Sequence, residues 1–133
     1  MADSDVSPRI SLQRVRNRLI EYFELASSSE RQRAYHARAP VSVSSEIMNL
    51  WEDWYCEPID HYAGPVFSDD ERAALESFDA TWTTVAEHTP DMMPALSELL
   101  GTREWELLRR AASDALDVFL KRGRLPEDEE WSP

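Results

Sequence analysis

The sequence predicts an all-α fold, a compact single-domain bundle of four to five amphipathic helices. Apolar residues recur every three or four positions along most of the chain, which is the spacing of one helix face. Proline and glycine separate these periodic stretches, whereas the alternation typical of a half-buried strand is nearly absent. The length of 133 residues is that of one domain. We predict a disordered lead over residues 1–10, a helical bundle over residues 11–124 and an acidic flexible tail over residues 125–133.

The first helix is predicted to begin at Ser11, whose hydroxyl can cap the free N–H groups of the first turn. It either breaks at the three serines 27–29 or continues to about Arg38, because Pro40 ends it. Both possibilities stay open. The apolar face of this helix carries Leu12, Val15, Leu19, Tyr22, Phe23 and Ala26.

The second helix is predicted to begin at Ser44 or Ser45 and to end before Pro58. Residues 41–43 are the only strand-like stretch, and we interpret them as a loop. The apolar side of the second helix carries Ile47, Leu50, Trp51 and Trp54.

The third helix begins with a capping box, because Ser68 is followed three residues later by Glu71. It ends before Pro90, and acidic residues fill its first turn, where the helix dipole favours them. Its predicted core face carries Ala74, Leu75, Phe78, Trp82, Val85 and Ala86.

Two more helices complete the bundle. Asp91 can cap a short fourth helix that Gly101 closes. Thr102 can cap the fifth helix, which ends near Gly123. The core face of the fifth helix carries Trp105, Leu108, Ala112, Ala115, Leu116 and Phe119.

Negative charge is concentrated in the middle of the chain. Thirteen of the 26 acidic residues lie between Ala39 and Gly101, where Arg72 is the only basic residue, so this segment carries the whole net charge of −12. Such a field repels nucleic acid and anionic membranes and attracts basic proteins. The chain begins with acidic residues rather than a signal peptide, and no apolar run is long enough to cross a bilayer. We therefore expect a cytoplasmic protein that binds neither nucleic acid nor membrane.

The acidic residues of the second and third helices lie in stripes away from the apolar faces. Exposed helices usually interleave opposite charges four residues apart, and these stripes do not. They form either a solvated face or a docking surface for a cationic partner. In the docking hypothesis Tyr55 and Tyr62 are exposed aromatic anchors. The partner-binding residues are then Glu46, Asn49, Asp53, Tyr55, Glu57, Asp60, Tyr62, Asp69, Asp70 and Glu76.

Cys56, Asp60 and His61 form the only grouping with residue types suited to catalysis or metal binding. With one cysteine and no third ligand at a recognised spacing, a half-buried thiol and a loop histidine explain it better. The chain contains no phosphate-binding glycine loop, nucleophile elbow or zinc-protease motif. The carboxylates lie on polar faces, whereas a general acid needs an apolar pocket that raises its pKa. We therefore predict no enzymatic activity, no cofactor and no metal.

Two runs carry a resemblance to a known class of proteins. Residues 18–26 (RLIEYFELA) and residues 46–54 (EIMNLWEDW) resemble small helical proteins encoded beside bacterial polymorphic toxins, where they serve as immunity proteins. The similarity covers roughly Arg14–Arg122 and carries no functional residue over. It implies a stoichiometric inhibitor that binds and occludes a toxin domain.

Charge and resemblance together lead to one expected function and one alternative. We expect a non-enzymatic acidic binding protein, an immunity protein that occludes a basic toxin domain acting in the cytoplasm. The alternative is a self-associating structural or regulatory helical subunit. In that alternative the arginines of the first helix contact the acidic helices of a second copy, as in a homodimer. The same arginines can instead pair with the acidic helices inside the fold, and both possibilities stay open.

Overall fold

Six α-helices and one 3-10 turn make up the described part of the chain, which is residues 7–38, 42–56, 58–89 and 94–133 of a computed structural model. No β-strand occurs within those ranges. The all-α single-domain prediction is confirmed. The elements are α1 (Pro8–Ala26), α2 (Ser29–Arg38), α3 (Val43–Trp54), the 3-10 turn (Ile59–His61), α4 (Asp69–Glu87), α5 (Leu96–Leu99) and α6 (Arg103–Leu120).

The first helix begins earlier than the sequence pattern indicated. Ser7, and not Ser11, is the N-cap of α1, and its hydroxyl accepts a hydrogen bond from the backbone N–H of Ile10 at 3.1 Å. Pro8 follows in the first helical position, where its missing N–H costs nothing. Residues 8–10 of the predicted lead are therefore helical, and residues 1–6 lie outside the described part of the chain.

The structure contains two helices, α1 and α2, where the sequence left open a single one. The helix is interrupted between Ala26 and Ser29. Gln32 is fully buried at this break, and its amide donates to the carbonyls of Leu25 at 3.1 Å and Ala26 at 3.0 Å. Its amide oxygen accepts from the indole N–H of Trp105 at 2.9 Å. The last carbonyls of α1 are thus satisfied by a side chain instead of by a further helical turn.

The caps of the later helices follow the sequence closely. Ser68 and Glu71 form the predicted capping box of α4, and Thr102 caps α6 through the backbone N–H of Trp105. In α3 the cap is Ser42 rather than either of the two serines predicted. The predicted cap Asp91 lies outside the described residues.

Aromatic rings fill the centre of the bundle. Phe23 of α1 lies 5.8 Å from Trp51 of α3, 5.2 Å from Phe78 of α4 and 5.8 Å from Phe119 of α6, measured between ring centroids. These four helices therefore share one core. Trp82, predicted for the core face of α4, is only half-buried.

The C-terminal tail packs along α1, although its acidic composition predicted a flexible extension. Gln13 is fully buried, and its amide donates to the carbonyls of Pro126 at 2.7 Å and Glu129 at 2.8 Å. Its oxygen accepts from the backbone N–H of Trp131 at 2.9 Å. Polar side chains of α1 thus form hydrogen bonds with the backbone of the tail. The spacing of apolar residues in the sequence does not indicate such contacts.

None of the helices in the described ranges combines the length and the apolar character that crossing a bilayer requires.

Candidate functional site

The loop between α3 and α4 is held in place by Tyr62 and Arg72. The Tyr62 hydroxyl accepts from the backbone N–H of Cys56 at 2.8 Å and donates to the carbonyl of Trp54 at 2.9 Å. Arg72, in the first turns of α4, donates to the carbonyls of Tyr62 at 3.0 Å and Phe67 at 2.8 Å. These bonds hold the end of α3, the loop and the start of α4 together.

Exposed carboxylates surround this junction. Two lie in the last turn of α3, one in the 3-10 turn, one in the first turn of α4 and one two turns further along α4. We call these five residues the acidic surface: Glu52, Asp53, Asp60, Asp69 and Glu76.

The side of α4 that carries Glu76 is the side that borders α3. The indole N–H of Trp51 in α3 donates to the Asp79 carboxylate of α4 at 2.9 Å, so Asp79 marks the flank of α4 next to α3. Glu76 precedes Asp79 by three residues, a spacing that places two side chains on neighbouring positions of one helix surface. Glu76 therefore lies near the flank of α4 that borders α3, the helix that carries Glu52 and Asp53.

Little positive charge reaches the acidic surface. Arg72 pairs with Asp69, and the rest of its guanidinium is occupied by loop carbonyls. Over the described ranges, no Lys or Arg nitrogen lies within 4.0 Å of the carboxylates of Glu52, Asp53, Asp60 or Glu76. Four of the five carboxylates thus face solvent without a counterion from the part of the chain that the structure describes.

The other residues predicted for partner binding have different positions. Asn49 is exposed on α3, one turn before Asp53. Glu46 is partly buried, and the Tyr35 hydroxyl lies 3.4 Å from its carboxylate oxygen. Asp70 is exposed but lines a groove between α4 and α6, on the other flank of α4. Glu57 lies outside the described residues.

The prediction that Tyr55 and Tyr62 are exposed anchors is wrong. Tyr55 is 9% exposed and Tyr62 is 4% exposed, and their rings stack at a centroid distance of 5.6 Å. Tyr55 also stacks on Trp51 at 4.7 Å. The chain leaves the helix after Trp54 and folds back over the core, so helical periodicity no longer indicates which side chains are exposed. Burial raises the pKa of the Tyr62 hydroxyl.

Sequence reasoning left open that arginines of the first helix pair with the acidic helices inside the fold, but it did not single out Glu71, around which a buried ionic network forms. The Glu71 carboxylate is 1% exposed and receives both Arg16, at 2.7 and 3.2 Å, and Arg122, at 2.5 and 3.1 Å. The backbone N–H of Ser68 donates to the same carboxylate at 3.1 Å. Arg16 also donates to the carbonyl of Gly123 at 2.5 Å. One carboxylate thus joins α1, the start of α4 and the end of α6. The signal was present, since Arg16 interrupts the apolar stripe of the first helix.

Opposing effects set the pKa of Glu71. Burial disfavours the charged carboxylate and by itself would raise the pKa. Hydrogen bonds from Arg16, Arg122 and the Ser68 N–H outweigh burial, so the pKa lies below its ordinary value. Glu71 is therefore a neutralised, structural carboxylate and contributes little to the external field.

The remaining arginines of α1 pair with the tail and not with the acidic helices. Arg18 binds the Glu127 carboxylate at 2.5 Å, and Arg14 donates to the carbonyl of Glu127 at 2.9 Å. Asn17, which donates to the Glu127 carboxylate at 2.9 Å, is the main cause of its lowered pKa, and Arg18 adds to it. Arg9 lies 3.7 Å from Glu130.

No group of three or more His, Cys, Asp or Glu side chains in the described ranges is arranged to hold a metal ion. Cys56 is an exposed free thiol, and His61 is exposed in the 3-10 turn. The arrangement at this junction is suited to electrostatic binding of a positively charged surface.

The chain matches no known family model, no curated protein and no solved structure.

Proposed function

We propose that this chain is a non-enzymatic binding protein whose acidic surface contacts a cationic face of another protein. The supporting observation is that Glu52, Asp53, Asp60 and Glu76 are exposed around one junction and lack counterions within the described residues. The resemblance to immunity proteins gives the partner class. In this proposal the partner is a basic toxin domain that acts in the cytoplasm, and binding occludes it.

Electrostatics and size both suit this role. Concentrated charge of one sign accelerates encounter with an oppositely charged partner and orients it, and the effect weakens as salt is added. A standard interface buries about 800 Å² on each partner. The total accessible surface of the chain is 7787 Å², so an interface of that size occupies roughly a tenth of it.

An apolar groove next to the acidic surface can take the anchoring role that Tyr55 and Tyr62 cannot. Trp54 and Leu50 of α3 line it together with Tyr35 of α2, and its volume is about 270 Å³. All three side chains are half-buried, so part of each ring or methyl group remains open to contact. Apolar contact beside charge is the usual composition of a protein interface.

The alternative, self-association of the basic first helix with acidic helices of another copy, has less support. Arg16 is buried with Glu71, and Arg14 and Arg18 are bound to Glu127. These three side chains would have to leave existing partners before they could reach a second molecule. Arg31, Arg33 and Arg38, which the sequence assigned to the same helix, are exposed on α2.

The test uses the C-terminal domain encoded by the reading frame directly upstream of this gene. If the proposal is correct, co-expression with this chain restores growth that the domain alone arrests, and the two purified proteins form a complex. Reversing three charges of the acidic surface (Glu52→Lys, Asp53→Lys and Asp60→Lys) should slow association at least about tenfold at low salt. Stopped-flow or biolayer measurements over a salt series give the rate.

A matched control separates the acidic surface from overall charge. Glu30, Asp128 and Glu129 are exposed carboxylates elsewhere on the molecule, and reversing all three changes the net charge by the same amount. This control should bind at nearly the original rate. Equal slowing in both triple variants, or the absence of any complex with the unchanged chain, would contradict the proposal.

A further inference from the structure

The outward side of α6 carries a second regular stripe, separate from its core face. Its residues follow a spacing of three and four, which keeps side chains on one line along a helix that packs against another helix. Leu107 is 43% exposed, and within the described residues only Leu107 and Leu120, both on α6, are exposed large hydrophobic residues. The outer stripe of α6 is Glu104, Leu107, Ala111, Asp114, Val118 and Lys121.

This stripe borders the groove between α4 and α6. The groove has a volume of about 650 Å³. Short side chains line both of its walls, among them Ala73, Ala74 and Ser77 of α4 and Ala111 of α6, together with the longer Asp70 and Phe78 of α4. Short side chains let another helix approach closely. A side chain the size of Leu107 is the kind of ridge that such a groove accommodates.

When two copies of the outer stripe are aligned antiparallel, most residues of one copy lie opposite a residue of matching type in the other. In an antiparallel pair with the two-fold axis between residues 112 and 113, Leu107 lies opposite Val118 of the second copy. The same register places Glu104 opposite Lys121, and Ala111 opposite Asp114, so that the neighbouring Arg110 lies beside that Asp114. Leu107 thus meets an apolar residue, Glu104 meets a residue of opposite charge, and Asp114 has Arg110 of the other copy beside it.

Charge also favours this face for self-contact. Each copy carries a net charge of −12, so two copies repel each other when their acidic surfaces approach. On the outer side of α6, Arg110 and Lys121 balance Glu104 and Asp114, and Asp70 of α4 adds one negative charge to the groove. The α6 face is therefore a region where like-charge repulsion between two copies is small.

We propose that the outer stripe of α6 and the adjoining groove form a homodimer interface, with the α6 helices of two copies antiparallel. Residues 104–121 span roughly 26 Å of helix, and two adjacent helices are roughly 20 Å wide, so each copy contributes on the order of 500 Å². An interface of that size belongs to the small, reversible class. We expect a dimer that dissociates in the micromolar range or above. The inference is independent of the acidic surface.

The two exposed leucines of α6 provide a matched test. Leu107 belongs to the outer stripe, whereas Leu120 lies about 140° around the helix from it. Leu107→Glu should weaken dimerisation at least about tenfold because it places a charge opposite the apolar Val118 of the second copy. Leu120→Glu should leave the dimer unchanged. Sedimentation equilibrium over a concentration series measures both, and circular dichroism verifies that both variants fold.

Charge exchange and cross-linking test the register. Arg110→Asp should weaken the dimer, and the double variant Arg110→Asp, Asp114→Arg should restore it. With the exposed Cys56 replaced by serine, a Leu107→Cys chain should form a disulfide with a Val118→Cys chain. A chain that stays monomeric up to about 1 mM, a range that includes weak association, would overturn the proposal. Equal disruption by the two leucine variants, or failure of the charge exchange to restore the dimer, would do the same.

Discussion

The fold buries the carboxylate of Glu71 but leaves the carboxylates of the acidic surface exposed to solvent. Glu71 is buried and bound by Arg16, Arg122 and a backbone N–H. Glu76, five residues further along α4, is exposed and has no counterion within the described residues. Both are glutamates of one helix. The comparison shows that the ion pairs between separate elements lie where α1, the end of α6 and the tail meet. On the acidic surface, only Asp69 is paired with an arginine within the described residues.

This distribution separates stability from recognition. A buried ion pair resists loss of either partner because the remaining charge is stranded in a medium of low polarity. An exposed carboxylate without a partner contributes almost nothing to stability but adds to the external field. We therefore expect substitutions in the two regions to differ strongly in their effect on unfolding.

The largest effect should come from Glu71→Gln. This change leaves Arg16, which is fully buried, without its counterion, and we expect a loss of about 3–5 kcal/mol in the free energy of unfolding. Urea denaturation measures the loss. Glu76→Gln is the matched control on the same helix and should change the free energy of unfolding by less than about 0.5 kcal/mol.

The difference in free energy of unfolding between the original chain and Glu71→Gln should also depend on pH. Since the pKa of Glu71 is lowered by folding, its stabilising contribution is complete above the ordinary glutamate pKa of 4.5 and is lost as the pH falls through the folded value. The gap between the original chain and Glu71→Gln should therefore narrow below pH 4.5. A gap that is constant down to pH 3 would mean that the effect is steric.

An intermediate effect should come from Gln13→Ala. Its amide makes three hydrogen bonds to the tail backbone, and removing them should cost about 1–3 kcal/mol and release the tail from α1. Hydrogen exchange should show lost protection at the Trp131 N–H. The control is Arg14→Ala, an exposed neighbour that donates to one tail carbonyl. If the tail remains protected in Gln13→Ala, the contact with Gln13 does not hold it.

The smallest effect should come from the acidic surface. Converting Glu52, Asp53 and Asp60 to their amides should change the free energy of unfolding by no more than about 0.5 kcal/mol. Because these charges repel one another, added salt should stabilise the original chain more than the triple-amide variant. Thermal melts at low and moderate salt measure both quantities. A loss of several kcal/mol would show that these carboxylates have internal partners.

The helices were predictable because their signals are local. The Ser68–Glu71 capping box and the Thr102 cap are encoded within four residues, and the core faces follow a period of 3.6. The break between α1 and α2 was left open because it depends on Gln32, whose partner Trp105 is 73 residues away. Boundaries that depend on tertiary contacts cannot be read from a window of sequence.

The candidate site was predictable in part. The exposure of Asn49, Asp53 and Glu76 follows from helix geometry, whereas Tyr55 and Tyr62 lie in or next to a loop whose path depends on the Tyr62 hydroxyl. Glu52 was not selected, because the 3–4 spacing that defined the stripe on α3 passes it by. The role of Glu71 depends on arginines from both ends of the chain, and their meeting is a property of the whole fold.

The contacts of α1 have a consequence for how the protein folds during translation. Arg16 needs the carbonyls of Phe119 and Gly123, and Asn17 needs Leu125, so their partners lie 103 to 108 residues downstream. Until those residues are translated, the polar groups of α1 can bond only to water, so α1 cannot be buried in the fold without leaving them unpaired. Long sequence separation between contacts also slows closure of a fold. The helix α1 must therefore wait until residues 119–125 have been made, and a copy truncated before them would leave it open to proteases.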